Sequence, residues 1–191
     1  IYCADDEGSR KLGVQSHPFT TVSYGESEGA DLRIDQIALL PMGSSARVIW
    51  HGRTVGTLEL QVPGHHNVLN AAACIAMGLS LGEPIHQLLA GLHSFRGAGR
   101  RFELKATEHG IRIVDDYGHH PTEISVTLDA ARRYAGDGRV LVIFQPHRYS
   151  RTQAFLNEFA TSLDKADDVT LLEIYAASEK PIPGISAELI A

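Results

Sequence analysis

Apolar and polar positions change rhythm twice along this chain. Leu58, Leu60 and Val62 alternate with Thr57, Glu59 and Gln61, the period of two that marks a half-buried strand. Ala46 to Trp50 runs into His51-Gly52-Arg53, and another run begins at Thr54. Such a glycine-centred break predicts a hairpin, so the stretch from about 31 to 62 reads as antiparallel sheet. Pro63-Gly64 ends it. From His65 to about Gly78 or Ser80 the composition turns alanine-rich, which predicts a helix able to lie close against a sheet. A second helix is predicted from about Pro84 to His93, with Ile85, Leu88, Leu89 and Leu92 on one face.

The second change follows Ser94–Phe102, where two glycines and three arginines read as a linker. We place the boundary near Gly97–Gly99, giving domains 1–98 and 99–191. Beyond it strands and helices alternate. Ile111–Val114 is a strand, Pro121 opens a helix with Ile124, Leu128, Ala131 and Ala135 inward, and Gly136 stops it. The apolar run Arg139–Phe144, a helix from about Thr152 to Lys165 and the strand Val169–Ile174 complete the pattern. The fold class is α/β: antiparallel strands plus helices, followed by a Rossmann-like domain with a parallel sheet. In parallel strands all carboxyl ends share one edge, so the loops 115–120 and 145–151 are expected to face one pocket. Ile1–Asp6 reads as a strand end running into an acidic turn, without an initiator Met, and 185–191 as a helix just beginning. Both suggest a piece of a longer protein.

Composition narrows the function classes. A net charge of −6 and a pI near 5.9 argue against a nucleic-acid partner, which needs a basic footprint. No apolar run reaches the ~18 residues that cross a bilayer, so no membrane insertion is expected. Cys3 and Cys74 stand far apart and read as reduced thiols.

The chemistry concentrates in the two loops. Asp115-Asp116-Tyr117-Gly118-His119-His120-Pro121-Thr122-Glu123 packs carboxylates, a phenol and two imidazoles behind a strand. Gln145-Pro146-His147-Arg148-Tyr149-Ser150-Arg151-Thr152 puts cationic donors at a strand exit that becomes a helix N-terminus. Planar guanidinium forks suit carboxylate or phosphate, and helix N-termini favour anions, so the loop reads as an anion clamp. A solvated basic turn is the plainer alternative. Asp115, Asp116, His119 and His120 are metal-ligand types, which keeps a metal-dependent phosphoesterase open. Neighbouring strand-end side chains point to opposite faces, so one of the two aspartates is expected in the site. Asn67 and Asn70 share one face of a helix start and offer donor and acceptor to an adenine edge; helix capping by Asn67 is the plainer reading. No Gly-x-x-x-x-Gly-Lys-Ser/Thr loop is present.

Four motifs in this order, His66-Asn67-Val68-Leu69-Asn70-Ala71-Ala72-Ala73, Phe95–Phe102, Asp115–Glu123 and Gln145–Thr152, resemble the Mur ligases of bacterial cell-wall synthesis. Tyr175–Gly184 is similar too. The resemblance covers nearly the whole chain and implies the later part of a central ATP-binding domain followed by the first part of a C-terminal domain. It implies a cytoplasmic bacterial ligase using ATP and Mg2+, whose metal ligands lie mainly outside this segment. Within the family, the motif at 145–152 points to members that join L-alanine to UDP-N-acetylmuramate; the related murein tripeptide ligases are the alternative. By the same resemblance, Asn67, Asn70 and His66 would meet the adenine, Arg101 the phosphates and Asp116 the ribose. Tyr117, His119, His147, Arg148 and Arg151 would surround the muramate carboxylate and the amino acid, with Arg148, Arg151 and His119 as catalytic groups.

Overall fold

In the computed structural model, which describes residues 1–191, the chain divides into two units, Ile1–Gly97 and Ala98–Ala191. The first unit is built on a five-stranded sheet in the order β1 (Tyr2–Cys3), β2 (Ser23–Gly25), β3 (Leu32–Leu40), β4 (Gly43–Trp50), β5 (Arg53–Leu60). The β3–β4–β5 portion is antiparallel, whereas β1–β2 and β2–β3 pair in parallel. The sheet is therefore mixed, and the expected antiparallel meander is its larger part. His51 (φ 44°) and Gly52 (φ 78°) make the two-residue turn between Trp50 and Arg53. Two positive φ values in a two-residue loop match the right-handed twist of the strands they join.

Period two decides which side chains face inward. Leu32, Ile34, Ala46, Val48, Leu58 and Leu60 are buried against Val68, Ala71, Ala72, Ile75 and Ala76 of helix α2 (His65–Ser80). Those α2 positions recur at i, i+3, i+4, i+7 and i+8, one helical stripe. Helix α3 (Ile85–Ser94) packs beside it, where a Cβ at Gly78 would stand 2.5 Å from Leu88 Cδ2. The acidic turn expected near the start is instead the entry of a short helix, α1 (Glu7–Gly13). Asp6 Oδ1 accepts the Ser9 N–H at 2.6 Å, so Asp6 serves as the helix cap, while Asp5 accepts the N–H groups of Glu26 and Ser27.

The second unit departs further from expectation. Strand β7 (Ile111–Asp115) is not part of a parallel sheet; it pairs antiparallel with β6 (Glu103–Glu108) across a two-residue turn at His109 (φ 50°) and Gly110 (φ 81°). The parallel sheet is formed by β8 (Leu141–Phe144) and β9 (Asp168–Leu171). Between the two sheets runs α4 (Pro121–Ala135), and the helix expected from 152 to 165 is broken at Phe155 (φ −127°, ψ 28°) into α5 (Tyr149–Ala154) and α6 (Leu156–Leu163). Ile124, Leu128, Val140, Phe144, Phe159 and Leu163 form the core with Ile190 from a closing 3-10 turn, Ala187–Ile190. Only one face of β8 is covered. Leu141 and Ile143 are 64% and 75% exposed, although their run is as apolar as a strand buried on both faces.

Candidate functional site

The loop after β7 is fixed by its own backbone donors. Asp116 Oδ1 accepts the Gly118 N–H at 2.7 Å and its Oδ2 accepts the Phe102 N–H at 2.9 Å. A Cβ at Gly118 would fall 2.8 Å from Asp116 Oδ1, so a glycine permits this turn. An ionised carboxylate offers about four lone-pair sites, so roughly half its capacity stays available to a ligand. Glu123 closes the loop from the helix side. Its Oε2 accepts N–H groups from His119 and His120, and His120 Nδ1 accepts the Thr122 N–H at 3.3 Å. That reciprocal pattern is a capping box. Glu123 keeps a depressed pKa: burial pushes it up, but the His119 backbone N–H and charge, the His120 N–H and Arg101 together outweigh burial.

This assignment separates the two histidines. His120 caps α4 and sets its ring edge against Phe155 at 4.8 Å between centroids. His119 has its Nδ1 3.0 Å from the Tyr117 carbonyl oxygen and 3.4 Å from Glu123 Oε2. Both neighbours are acceptors, which puts the proton of the neutral ring on Nδ1 and the lone pair on Nε2. His120 is thus set apart from the other three residues considered for a metal, and no group of three or more His, Cys, Asp or Glu is placed to hold one.

The β8 exit loop is held differently. His147 pairs with Tyr175 as an isolated parallel bridge, and the Arg148 N–H donates to the Tyr175 carbonyl at 2.8 Å. Arg148 adopts φ 75°, ψ 134°, a conformation that costs a non-glycine residue on the order of 1–3 kcal/mol. Thr152, fully buried, secures it from the other side: its N–H and its hydroxyl both donate to the Arg148 carbonyl, at 3.0 and 2.9 Å. One first-turn donor of α5 is already taken, because the Ser150 N–H donates to Glu179 at 3.0 Å.

The two loops meet in a cleft of about 600 Å³ within the second unit. Asp116, Tyr117, His119 and His147 line it, as do Arg100, Asp115 and Tyr175. Both aspartates therefore reach the cleft, where one was expected: Asp115 ends β7 opposite Glu103, and Asp116 has already left the strand. The rings of His119 and His147 are 6.4 Å apart, and His147 lies 5.4 Å from Tyr175. Arg100 and Arg101 flank the Tyr117 ring at 5.0 and 5.9 Å, within cation–π range. Burial, then the charges of Arg151, Arg148 and His119, push the His147 pKa below its ordinary value, with Glu179 opposing. His147 Nδ1 and Arg151 Nη1 are buried without a hydrogen-bond partner. An unmet guanidinium donor is costly, and a charged acceptor is what it lacks.

Not every candidate lies in this cleft: Arg148 and Arg151 follow His147 in the same loop but are not among the lining residues. Arg101 reaches Glu123 at 3.4 Å and is half exposed. His66, Asn67 and Asn70 belong to the first unit, on α2. Asn67 is not the helix cap; it stands inside the first turn, and its amide donates back to the Pro63 carbonyl at 2.7 Å. The His66 ring lies over Gly64 (φ 99°), where a Cβ would approach its Cε1 to 2.6 Å. Asp115 lay in the loop expected at the cleft, whereas Tyr175 was not singled out by sequence as a cleft residue.

Comparison with known proteins covers both units. Residues 1–78 match the Mur ligase middle domain and residues 100–191 the Mur ligase glutamate ligase domain. The UDP-N-acetylmuramate–L-alanine ligase of Trichlorobacter lovleyi is 48% identical over 191 residues, 100% of this chain and 42% of that protein. Among solved structures, the UDP-N-acetylmuramate–alanine ligase of Thermotoga maritima is similar with a TM-score of 0.74 and 34% identity, over 90% of this chain and 37% of that one. A murein peptide ligase from Psychrobacter arcticus gives 0.55 and 27%, over 78% and 31%. The chain spans about 40% of the length of the curated relatives it matches.

Proposed function

The chain belongs to the Mur ligase family, and on that premise we propose that it forms part of an ATP-dependent ligase joining L-alanine to UDP-N-acetylmuramate in the bacterial cytoplasm. The observation that carries this is 48% identity, running through the whole chain, to a ligase of that name. The buried, unpartnered Arg151 Nη1 in the loop beside the cleft supports it, since both acceptor substrates are carboxylates. No helix is long and apolar enough to cross a membrane.

The reaction divides into two displacements. A carboxylate oxygen of the muramate attacks the γ-phosphorus of ATP, the bond to the β-phosphate oxygen breaks, and ADP departs with the electron pair. The amine of L-alanine, having lost a proton, then attacks the acyl carbon, and inorganic phosphate leaves. Arg148 and Arg151 would bind the carboxylate and offset charge on the transferring group, where preorganised donors contribute most. His119, its Nδ1 turned to Tyr117 and Glu123, would present the Nε2 lone pair to the ammonium proton. Tyr117 and His147 would orient the acceptor. Asp116 would hold the ribose, Arg101 the phosphates, and Asn67, Asn70 and His66 the adenine edge. Magnesium would supply charge neutralisation at the phosphates, but the residues present gather no ligand set for it.

The test uses the full-length protein with ATP, UDP-N-acetylmuramate and a panel of acceptors: L-alanine, D-alanine, glycine, L-serine and a murein tripeptide. Phosphate release dependent on L-alanine is expected. Equal release with every acceptor, or with none, overturns the assignment.

A further inference from the structure

We propose that Glu179 is a positioning residue that sets the aim of Arg148 and Arg151, a role that rests on reading their loop as the anion-binding wall. Glu179 touches neither guanidinium through a hydrogen bond. It grips Ser150, one of the two residues between them. Glu179 Oε2 accepts the Ser150 N–H at 3.0 Å and Oε1 accepts the Ser150 hydroxyl at 2.6 Å. The two residues are 29 positions apart in sequence, so the contact is tertiary and fastens one loop to another.

Three features make this grip matter. The Arg148 backbone is in an unfavourable conformation (φ 75°, ψ 134°), and residues so held persist only where their surroundings over-determine them. Its N–H is fixed by Tyr175 and its carbonyl by Thr152; the next turn, which carries Arg151, is fixed from outside by Glu179. The gripping segment is itself tightly folded. Ala177 (φ 47°) and Ser178 (φ 70°) are both left-handed, and the Glu179 N–H donates to the Ala176 carbonyl at 2.9 Å, which delivers the carboxylate to Ser150. Finally, Arg148 and Arg151 place two guanidinium groups within four residues, next to His147. The Glu179 carboxyl is held below the usual carboxylate range, first by the Ser150 side chain, then by the Ser150 N–H and the charge of Arg148, so it also tempers that charge. With the Ser150 N–H already occupied, an incoming carboxylate or phosphate would depend chiefly on guanidinium direction.

The experiment uses the full-length protein as wild type, Glu179→Ala, Glu179→Gln, Ser150→Ala and the Ser150→Ala/Glu179→Ala pair. Hydrogen exchange read by mass spectrometry should show residues 148–152 exchanging about tenfold faster in Glu179→Ala, with residues 65–80 unchanged. In turnover, Glu179→Ala should raise KM for UDP-N-acetylmuramate about tenfold while KM for ATP stays at the wild-type value. Glu179→Gln, which keeps an acceptor oxygen, should recover part of the loss, and the double variant should be no worse than Glu179→Ala. Unchanged exchange at 148–152 overturns the proposal, as do additive losses or an equal rise in both KM values. A wild type lacking L-alanine-dependent turnover would instead overturn the assigned reaction, and the exchange comparison would still decide the role of Glu179.

Discussion

His119 and His147 stand with ring centroids 6.4 Å apart, although one follows a strand of the antiparallel hairpin and the other a strand of the parallel sheet. Their proximity has an electrostatic consequence. Burial and the charges of Arg151, Arg148 and His119 favour the neutral form of His147. Its ring-proton resonances should therefore titrate below the ordinary histidine value of about 6.5, and Arg151→Ala should move the midpoint upward. A folded-state pKa below the unfolded one means the unfolded chain binds more protons in the interval between them. Stability from this group is present above the unfolded value and is lost as pH falls through the folded one. A wild-type midpoint at or above the free-histidine value contradicts the site's electrostatics.

Arg148→Ala and Arg151→Ala remove charge from the proposed clamp. In the full-length protein each should lower kcat by roughly 10²–10³, the range for losing one preorganised donor to developing charge. Steady-state rates within twofold of wild type would leave the loop as a solvated basic turn.

His120→Ala tests the division of labour between the two histidines. The substitution removes the α4 cap and the ring contact with Phe155. It should cost about 1 kcal/mol in chemical denaturation, with KM for both acceptor substrates unchanged. A large change in KM without loss of stability would place His120 in the site.

Gly64→Ala probes the other unit. Gly64 sits at φ 99° beneath the His66 ring, so an added methyl is strained in backbone and in space. A loss of more than about 1 kcal/mol is expected. KM for ATP should rise, because His66 must move. An unchanged ATP dependence would detach His66 from the nucleotide.

The sequence pattern carried the elements whose stabilisation is local. Leu58, Leu60 and Val62 showed the half-buried strand directly, and the alanine-rich stretch after Gly64 showed α2, because each element's rhythm reports its own buried face. The pairing of β7 was not legible. Its partner β6 has only Leu104 and Ala106 as apolar positions, too short an alternation to announce a strand, and Ile111 and Ile113 are 66% and 52% exposed, so their pattern reports no buried face. Its signal was the turn: His109-Gly110 can supply two positive φ values, as His51-Gly52 does. The inference that the two polar loops share a cleft used a parallel arrangement that β7 does not adopt. The loops meet nonetheless, within one unit. Within the cleft, Tyr117, His119 and His147 stood out as chemistry-bearing types. Tyr175 and Glu179 did not, because their places depend on contacts about thirty residues away that no local pattern encodes.

The central claim is ATP-driven ligation through an acyl phosphate. It is tested most directly by incubating the full-length protein with ATP, L-alanine and UDP-N-acetylmuramate labelled with oxygen-18 in its carboxylate. One labelled oxygen should pass to each inorganic phosphate released, in step with formation of the alanyl amide. Unlabelled phosphate, or labelled phosphate formed without the amide, would contradict the account.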